Sequence, residues 1–184
     1  MHSCKNANRN GKADRLGMKK LYYSDDNITD ILDRAKTIAM VGTSTNSARP
    51  SYLVMQYLQC NAYRVIPVNP VAAGTVVLKE IVYASLADIP GKIDMVDIFR
   101  NSDAAGVITD EAISLAKEKS IQTIWMQLGV RNDAAAQRAE AAGLTVVMDR
   151  CPKIEIGRLY RELNCSGVKS RIIAAKRSHV RRPQ

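Results

Sequence analysis

Short apolar runs recur along the chain, separated by stretches whose apolar positions repeat at helical spacing. Thr37–Val41 (TIAMV), Tyr63–Val68 (YRVIPV), Ile93–Phe99 (IDMVDIF), Ile121–Leu128 (IQTIWMQL) and Leu144–Met148 (LTVVM) read as strands. They are largely continuous rather than alternating, the pattern of strands covered on both faces. Val76–Leu78 reads as a further short strand within a less regular stretch, 71–90, punctuated by Gly74 and Pro90. Helices are predicted over Ile28–Ala35, Ser51–Cys60, Asp103–Lys119, Asn132–Ala142 and Ile154–Leu163. Leu53, Val54, Tyr57 and Leu58 share one face of the second; Val107, Ile108, Ala112, Leu115 and Ala116 line the third. Gly143 follows the alanine-rich fourth helix as a C-cap.

Strands and helices in alternation, joined by short links, predict a parallel sheet with right-handed crossovers. The fold class is therefore α/β: a Rossmann-like, doubly wound, five-stranded parallel sheet with helices on both faces. In such sheets ligands bind beyond the carboxyl ends of the strands, where the strand order reverses. That rule selects five loops: Gly42–Pro50, Asn69–Pro70, Arg100–Ser102, Gln127–Val130 and Met148–Pro152.

The first of these loops carries the most chemistry. An apolar strand stops at Gly42, a polar turn follows, and Arg49-Pro50-Ser51 opens an amphipathic helix. A tight turn exposes backbone N–H groups, and a helix start adds positive dipole potential, so phosphates are favoured there. Thr43, Ser44, Thr45 and Ser51 contribute hydroxyls, and Arg49 a guanidinium suited to phosphate. Arg100, just past the third main strand, supplies a second such group. An NAD-type site would need G-x-G-x-x-G after the first strand and an acid ending the second. Here the turn has one glycine and the second strand ends in Asn69, so the NAD-type alternative is disfavoured. There is no G-x-x-x-x-G-K-[ST] for nucleotide hydrolysis either.

Charge changes the picture less than its total suggests. The net charge is +9 over 184 residues. Residues 1–23 carry +5 and residues 164–184 carry +6, which leaves −2 on the body between them. The expected organisation is a basic flexible segment over 1–23, a ligand-binding domain over 24–163 and a basic flexible tail over 164–184. A nucleic-acid module driven by the tails is the weaker reading, because the C-terminal tail has no aromatic for base stacking. No apolar stretch approaches the ~20 residues that span a bilayer, and the N-terminus lacks the apolar region of a secretion signal. Cys4, Cys60, Cys151 and Cys165 form no CxxC pair and no metal spacing, which reads as reduced cytoplasmic thiols. The histidines are His2 and His179, outside the predicted core, so a histidine metal site or a Ser-His-Asp triad there is excluded.

Read together, the segments IAMVGTSTNSARPSY, VIPVNP, YASLADIP, KIDMVDIFRNS, IWMQLGV and VVMDRCPKIE resemble the small stand-alone CoA-binding-domain proteins. These are similar to the nucleotide-binding domain of the succinyl-CoA ligase alpha subunit. The resemblance spans about Ile28 to Leu163 and implies coenzyme A as the ligand. It places Gly42, Thr43 and Ser44 at the diphosphate turn, with Arg49, Pro50 and Ser51 opening the helix beside it. Val68, Asn69 and Pro70 would flank the adenosine, Phe99 and Arg100 the adenine–phosphate region, and Gln127 and Gly129 the pantetheine path. Ligase relatives use a phosphorylated histidine on a second domain; no counterpart is found in this core, so that chemistry is not carried over. Binding is implied and turnover is not.

Cys151 is the chemical alternative. It stands at a sheet end before Pro152, and Arg150 beside it would lower its pKa. A thiol-dependent acyl-CoA transferase or hydrolase would use it, with Asp149 and Glu155 the carboxylates of that corner. Asp97, inside a strand, is expected to cap a loop N–H rather than touch ligand, and Trp125 to be core. The small-molecule ligand is the expected partner, and a homodimer through apolar helix faces is compatible with the pattern without being required by it.

Overall fold

The computed structural model describes residues 21–160. Five strands form one parallel sheet: β1 (Thr37–Val41), β2 (Arg64–Val68), β5 (Met95–Ile98), β6 (Thr123–Met126) and β7 (Thr145–Val147), in the order β2-β1-β5-β6-β7. The helices are α1 (Asp25–Arg34), α2 (Pro50–Cys60), α3 (Ser102–Lys119), α4 (Asp133–Ala141) and α5 (Pro152–Tyr160). This is the doubly wound α/β class. The strand order reverses between β1 and β5: from β1 the chain moves outward to β2, then returns to pair β5 on the other side.

Alternation along the strands sends side chains to two cores. Ala39, Val41, Ile66, Val96, Ile98, Ile124 and Met126 face one way, where small residues of α3 and α4 (Ala105, Ala112, Ala135, Ala139) pack closely. Ile38, Met40, Val65, Met95, Trp125 and Val147 face the other way, against Leu32, Met55, Leu58 and Ile156 of α1, α2 and α5. Both faces being covered explains the continuous apolar strands. Asp94 ties α1 to the sheet: its carboxylate accepts the N–H groups of Lys36 and Thr37, each at 2.8 Å.

The strands are shorter than the apolar runs, because the end residues of each run turn into loops. Leu53 and Val107, expected on buried faces, are 44% and 72% exposed. Their neighbours Val54 and Ala112 carry the contact instead. The short strand at 76–78 is β3 (Val76–Val77), paired antiparallel with β4 (Glu80–Ile81) in a hairpin that the sequence pattern does not announce. Its turn residues, Leu78 and Lys79, both have positive φ (48° and 71°) without Gly or Asn. Of the N-terminal segment, Leu21 and Tyr23 pack against the cores, and Tyr23 Oη accepts the Met148 N–H at 2.8 Å. Residues 1–20 and 161–184 lie outside the described residues. No helix among the described residues is long and apolar enough to cross a membrane.

Candidate ligand-binding site

The site is assembled where β1 and β5 diverge. Gly42 leaves β1 with φ +93°, a region that L side chains rarely adopt. A Cβ there would meet Arg100 Cδ at 2.9 Å and the Phe99 carbonyl at 3.0 Å. Glycine thus serves twice, turning the chain and letting Arg100 lie across the turn. The Gly42 N–H donates to the Val68 carbonyl at 2.8 Å, and Phe99 N–H to the Val41 carbonyl at 2.8 Å, so the ends of three strands are fastened together.

The turn itself is held from within. Thr43 is buried and its hydroxyl donates to the Met40 carbonyl at 2.7 Å, so that hydroxyl is not available to a ligand. Asn69 Nδ2 donates to the Thr43 carbonyl at 2.9 Å, while its Oδ1 accepts the Val71 N–H at 3.0 Å and starts the 3-10 turn Pro70–Ala72. Both ends of the Asn69 amide are therefore committed to shape. Ser51 Oγ accepts the Ser44 N–H at 3.0 Å, and Ser44 Oγ accepts the Asn46 N–H at 3.1 Å. Among the described residues neither hydroxyl donates its own hydrogen. The N–H groups of Thr43, Thr45 and Ser47 make no hydrogen bond among the described residues. Arg49 is the N-cap residue of α2 without a side-chain cap bond, and Pro50 opens the helix.

Eight arginines lie among the described residues, and six of them pair with carboxylates: Arg34, Arg64, Arg131, Arg138, Arg150 and Arg158. Arg49 and Arg100 have no such partner there, are exposed, and stand at the β1–α2 turn and the end of β5. Two guanidiniums without carboxylate partners among the described residues, on the loops that carry the unpaired N–H groups and follow β5, make this corner a candidate anion cradle at the point where strand order reverses.

Further along the edge, Gln127 and Gly129 follow β6. Gly129 N–H donates to Asp149 Oδ1 at 2.7 Å, and both residues take positive φ (76° and 55°). Asp97 does not cap a loop N–H: both carboxyl oxygens lie 3.1 Å from Gln127 Nε2, and the residue is fully buried. Burial pushes its pKa up to about 8, with the Gln127 bond opposing the rise. Trp125 is buried core, its Nε1–H donating to the Arg150 carbonyl at 2.8 Å.

Cys151 departs from the expectation of an activated thiol. Burial raises its pKa, and the N–H groups of Ile154 and Lys153 at the start of α5 offset only part of that. Arg150 is engaged by Glu155 at 3.7 Å instead of serving the sulfur. Glu155 is buried and bound by Arg158 at 2.7 Å, and Asp149 by Gly129, so neither carboxylate of that corner is idle. The link from Asp97 to Gln127 escaped the sequence reading. A carboxylate within an apolar strand was its signal, but the partner strand is adjacent only in space.

A doubly wound sheet with a candidate anion cradle at its reversal point is the architecture in which nucleotide-type ligands bind. Residues 36–157 match the CoA binding domain family, and the chain belongs to that family. The uncharacterized protein YneT of Bacillus subtilis (strain 168) is 36% identical over 127 residues, which are 69% of this chain and 90% of its own. Among solved structures, Prb, the PH1109 protein redesigned for binding, is 37% identical with a TM-score of 0.71, covering 77% of this chain and 96% of its own. A Thermus thermophilus protein designated cell-free ID.343 is 34% identical with a TM-score of 0.69, covering 74% of this chain and 99% of its own. The dinucleotide forming Acetyl-coenzyme A synthetase 1 of Ca. Korarchaeum cryptofilum is 19% identical (TM-score 0.50; 61% of this chain, 25% of its own), a likeness of fold alone.

Proposed function

We propose that this protein binds coenzyme A, or a short acyl-CoA, in the cleft between β1 and β5, without catalysis of its own, and that it does so in the cytoplasm. The observation that carries the reading is the pair Arg49 and Arg100, without carboxylate partners among the described residues and flanking the Gly42 turn. On this reading the turn and the N-terminus of α2 take the diphosphate through the N–H groups of Thr43, Thr45 and Ser47 and the hydroxyls of Ser44 and Ser51. Val68, Asn69 and Pro70 border the adenosine, with Asn69 shaping the wall. Phe99 and Arg100 border the adenine and its phosphate, and Gln127 and Gly129 the pantetheine arm. Calorimetry with CoA, and with NAD as control, tests it. Heat with CoA and none with NAD is expected, and the reverse overturns the assignment. Arg49→Ala and Arg100→Ala should each weaken CoA by about 1.5–3 kcal/mol, the range of a bond to a charged group.

A second reading has one observation in its favour: the sulfur of Cys151 accepts main-chain N–H groups at the start of α5, which favours a thiolate. In that reading the thiolate attacks the acyl carbonyl of an acyl-CoA, forming an acyl-cysteine and releasing CoA with the proton returned to its sulfur. Burial and the raised pKa weigh against it. Incubation with acetyl-CoA followed by intact mass decides: an adduct absent in Cys151→Ser supports the enzyme, and no adduct with no thiol release eliminates it.

A further inference from the structure

The α2/α5 face of the carboxyl edge holds a buried polar pair that the phosphate cradle does not use. Asp97 lies level with Met40 of β1 and Trp125 of β6. Gln127 follows two residues beyond Trp125, on the same face by strand alternation, and is 6% exposed. The two side chains meet through Gln127 Nε2, 3.1 Å from each carboxyl oxygen. Asp97's carboxyl makes no other hydrogen bond among the described residues.

A carboxyl in mid-strand is costly to bury, and packing alone is better served by Val or Leu at that position. What Asp97 does, and an apolar residue would not, is fix the rotation of the neighbouring amide. With Nε2 turned inward, Gln127 Oε1 points the other way. That oxygen accepts no bond among the described residues. Thr109 Oγ1 is the one enclosed side-chain polar atom there without a partner, so Gln127 Oε1 reaches the surface. It does so at the end of β6, on the edge that carries Gly42 and Phe99.

We propose that Asp97 is a positioning residue for ligand recognition: it anchors Gln127 Nε2 so that Gln127 Oε1 stands in the cleft as a fixed acceptor for a secondary-amide N–H of the ligand. This rests on CoA as the ligand of the cleft, since its pantetheine arm supplies such amides while its nucleotide half does not.

The test compares CoA with adenosine 3′-phosphate 5′-diphosphate, which lacks the arm. Asp97→Leu should weaken CoA about three- to tenfold, the worth of one neutral hydrogen bond, and leave the nucleotide unchanged. Asp97→Asn keeps an oxygen acceptor for Nε2 and should retain CoA affinity. In a Gln127→Leu background, Asp97→Leu should add no further loss. Equal weakening of both ligands, loss in the Asn variant equal to that in Leu, or full additivity with Gln127→Leu overturns the role. If Asp97→Leu does not fold, hydrogen exchange of the Gln127 side-chain amide decides. Slow exchange in the wild type and in Asp97→Asn supports the anchor, and free exchange in the wild type overturns it. A wild type that binds neither molecule defeats the CoA assignment and the anchor together. A wild type that binds both, with CoA affinity unaltered in Asp97→Leu, defeats the anchor alone.

Discussion

Single residues set the site through backbone conformation and desolvation. Gly42→Ala places a Cβ against Arg100 and the Phe99 carbonyl at a φ of +93°. It should cost about 2 kcal/mol or more of stability, seen as a lower denaturant midpoint, and should weaken CoA binding further by displacing Arg100. Asp97 gives a pH signature of the opposite sign to an ordinary salt-bridged carboxylate. Its folded pKa of about 8 lies above the 3.8 of an ordinary aspartate, so between these values the folded state holds a proton that the unfolded state has lost. The stability from Asp97 is complete below pH 4 and fades as pH rises towards 8. Urea midpoints at pH 5 and pH 8 should therefore fall more steeply in the wild type than in Asp97→Asn. A parallel pair of profiles would show that Asp97 is charged throughout. That this residue is unusual was legible, since Asp stands within IDMVDIF. That it faces Gln127 was not, because register between β5 and β6 is a property of the folded sheet.

Helices and strands were the most readable level. Apolar periodicity located the five helices and five main strands of the described residues, because burial on both sheet faces leaves a continuous apolar record. The β3–β4 hairpin shows the limit: its turn uses Leu78 and Lys79 at positive φ, so the usual Asn-Gly or Gly signal is missing. Contacts between elements were equally hidden. Asn132 caps α4 by accepting the Ala135 N–H at 2.9 Å, and its Nδ2 donates to the Ser102 carbonyl at the start of α3, also at 2.9 Å. Gly106 of α3 leaves room for it: a Cβ there would stand 3.0 Å from Asn132 Nδ2. Asn132→Ala removes both bonds and should cost about 1–2 kcal/mol in chemical denaturation. CoA affinity should change little, since neither bond reaches the cradle.

At the scale of the molecule, ligand binding and folding are linked. CoA at one hundred times its dissociation constant should stabilise the native state by about 2.7 kcal/mol, raising the melting temperature by roughly 5–11 °C for a domain of this size. NAD at the same concentration should leave the melt unmoved. The net charge of +9 is a poor guide to the cleft, because the body between the basic ends carries −2. On the proposed reading the local field comes instead from Arg49 and Arg100, which have no carboxylate partner among the described residues.

The sequence by itself determined the layered α/β class, the loops at the carboxyl ends of the strands and the glycine turn, because each follows from local periodicity or from one residue's backbone freedom. Only the tertiary structure decided which polar groups remain for a ligand. The Thr43 hydroxyl and the side chains of Asn69, Asp149 and Glu155 are spent on internal bonds, while Arg49, Arg100 and Gln127 Oε1 are left facing outward. Whether a side chain is spent depends on partners far away in the chain, and strand register and helix docking, not residue type, bring those partners within bonding distance.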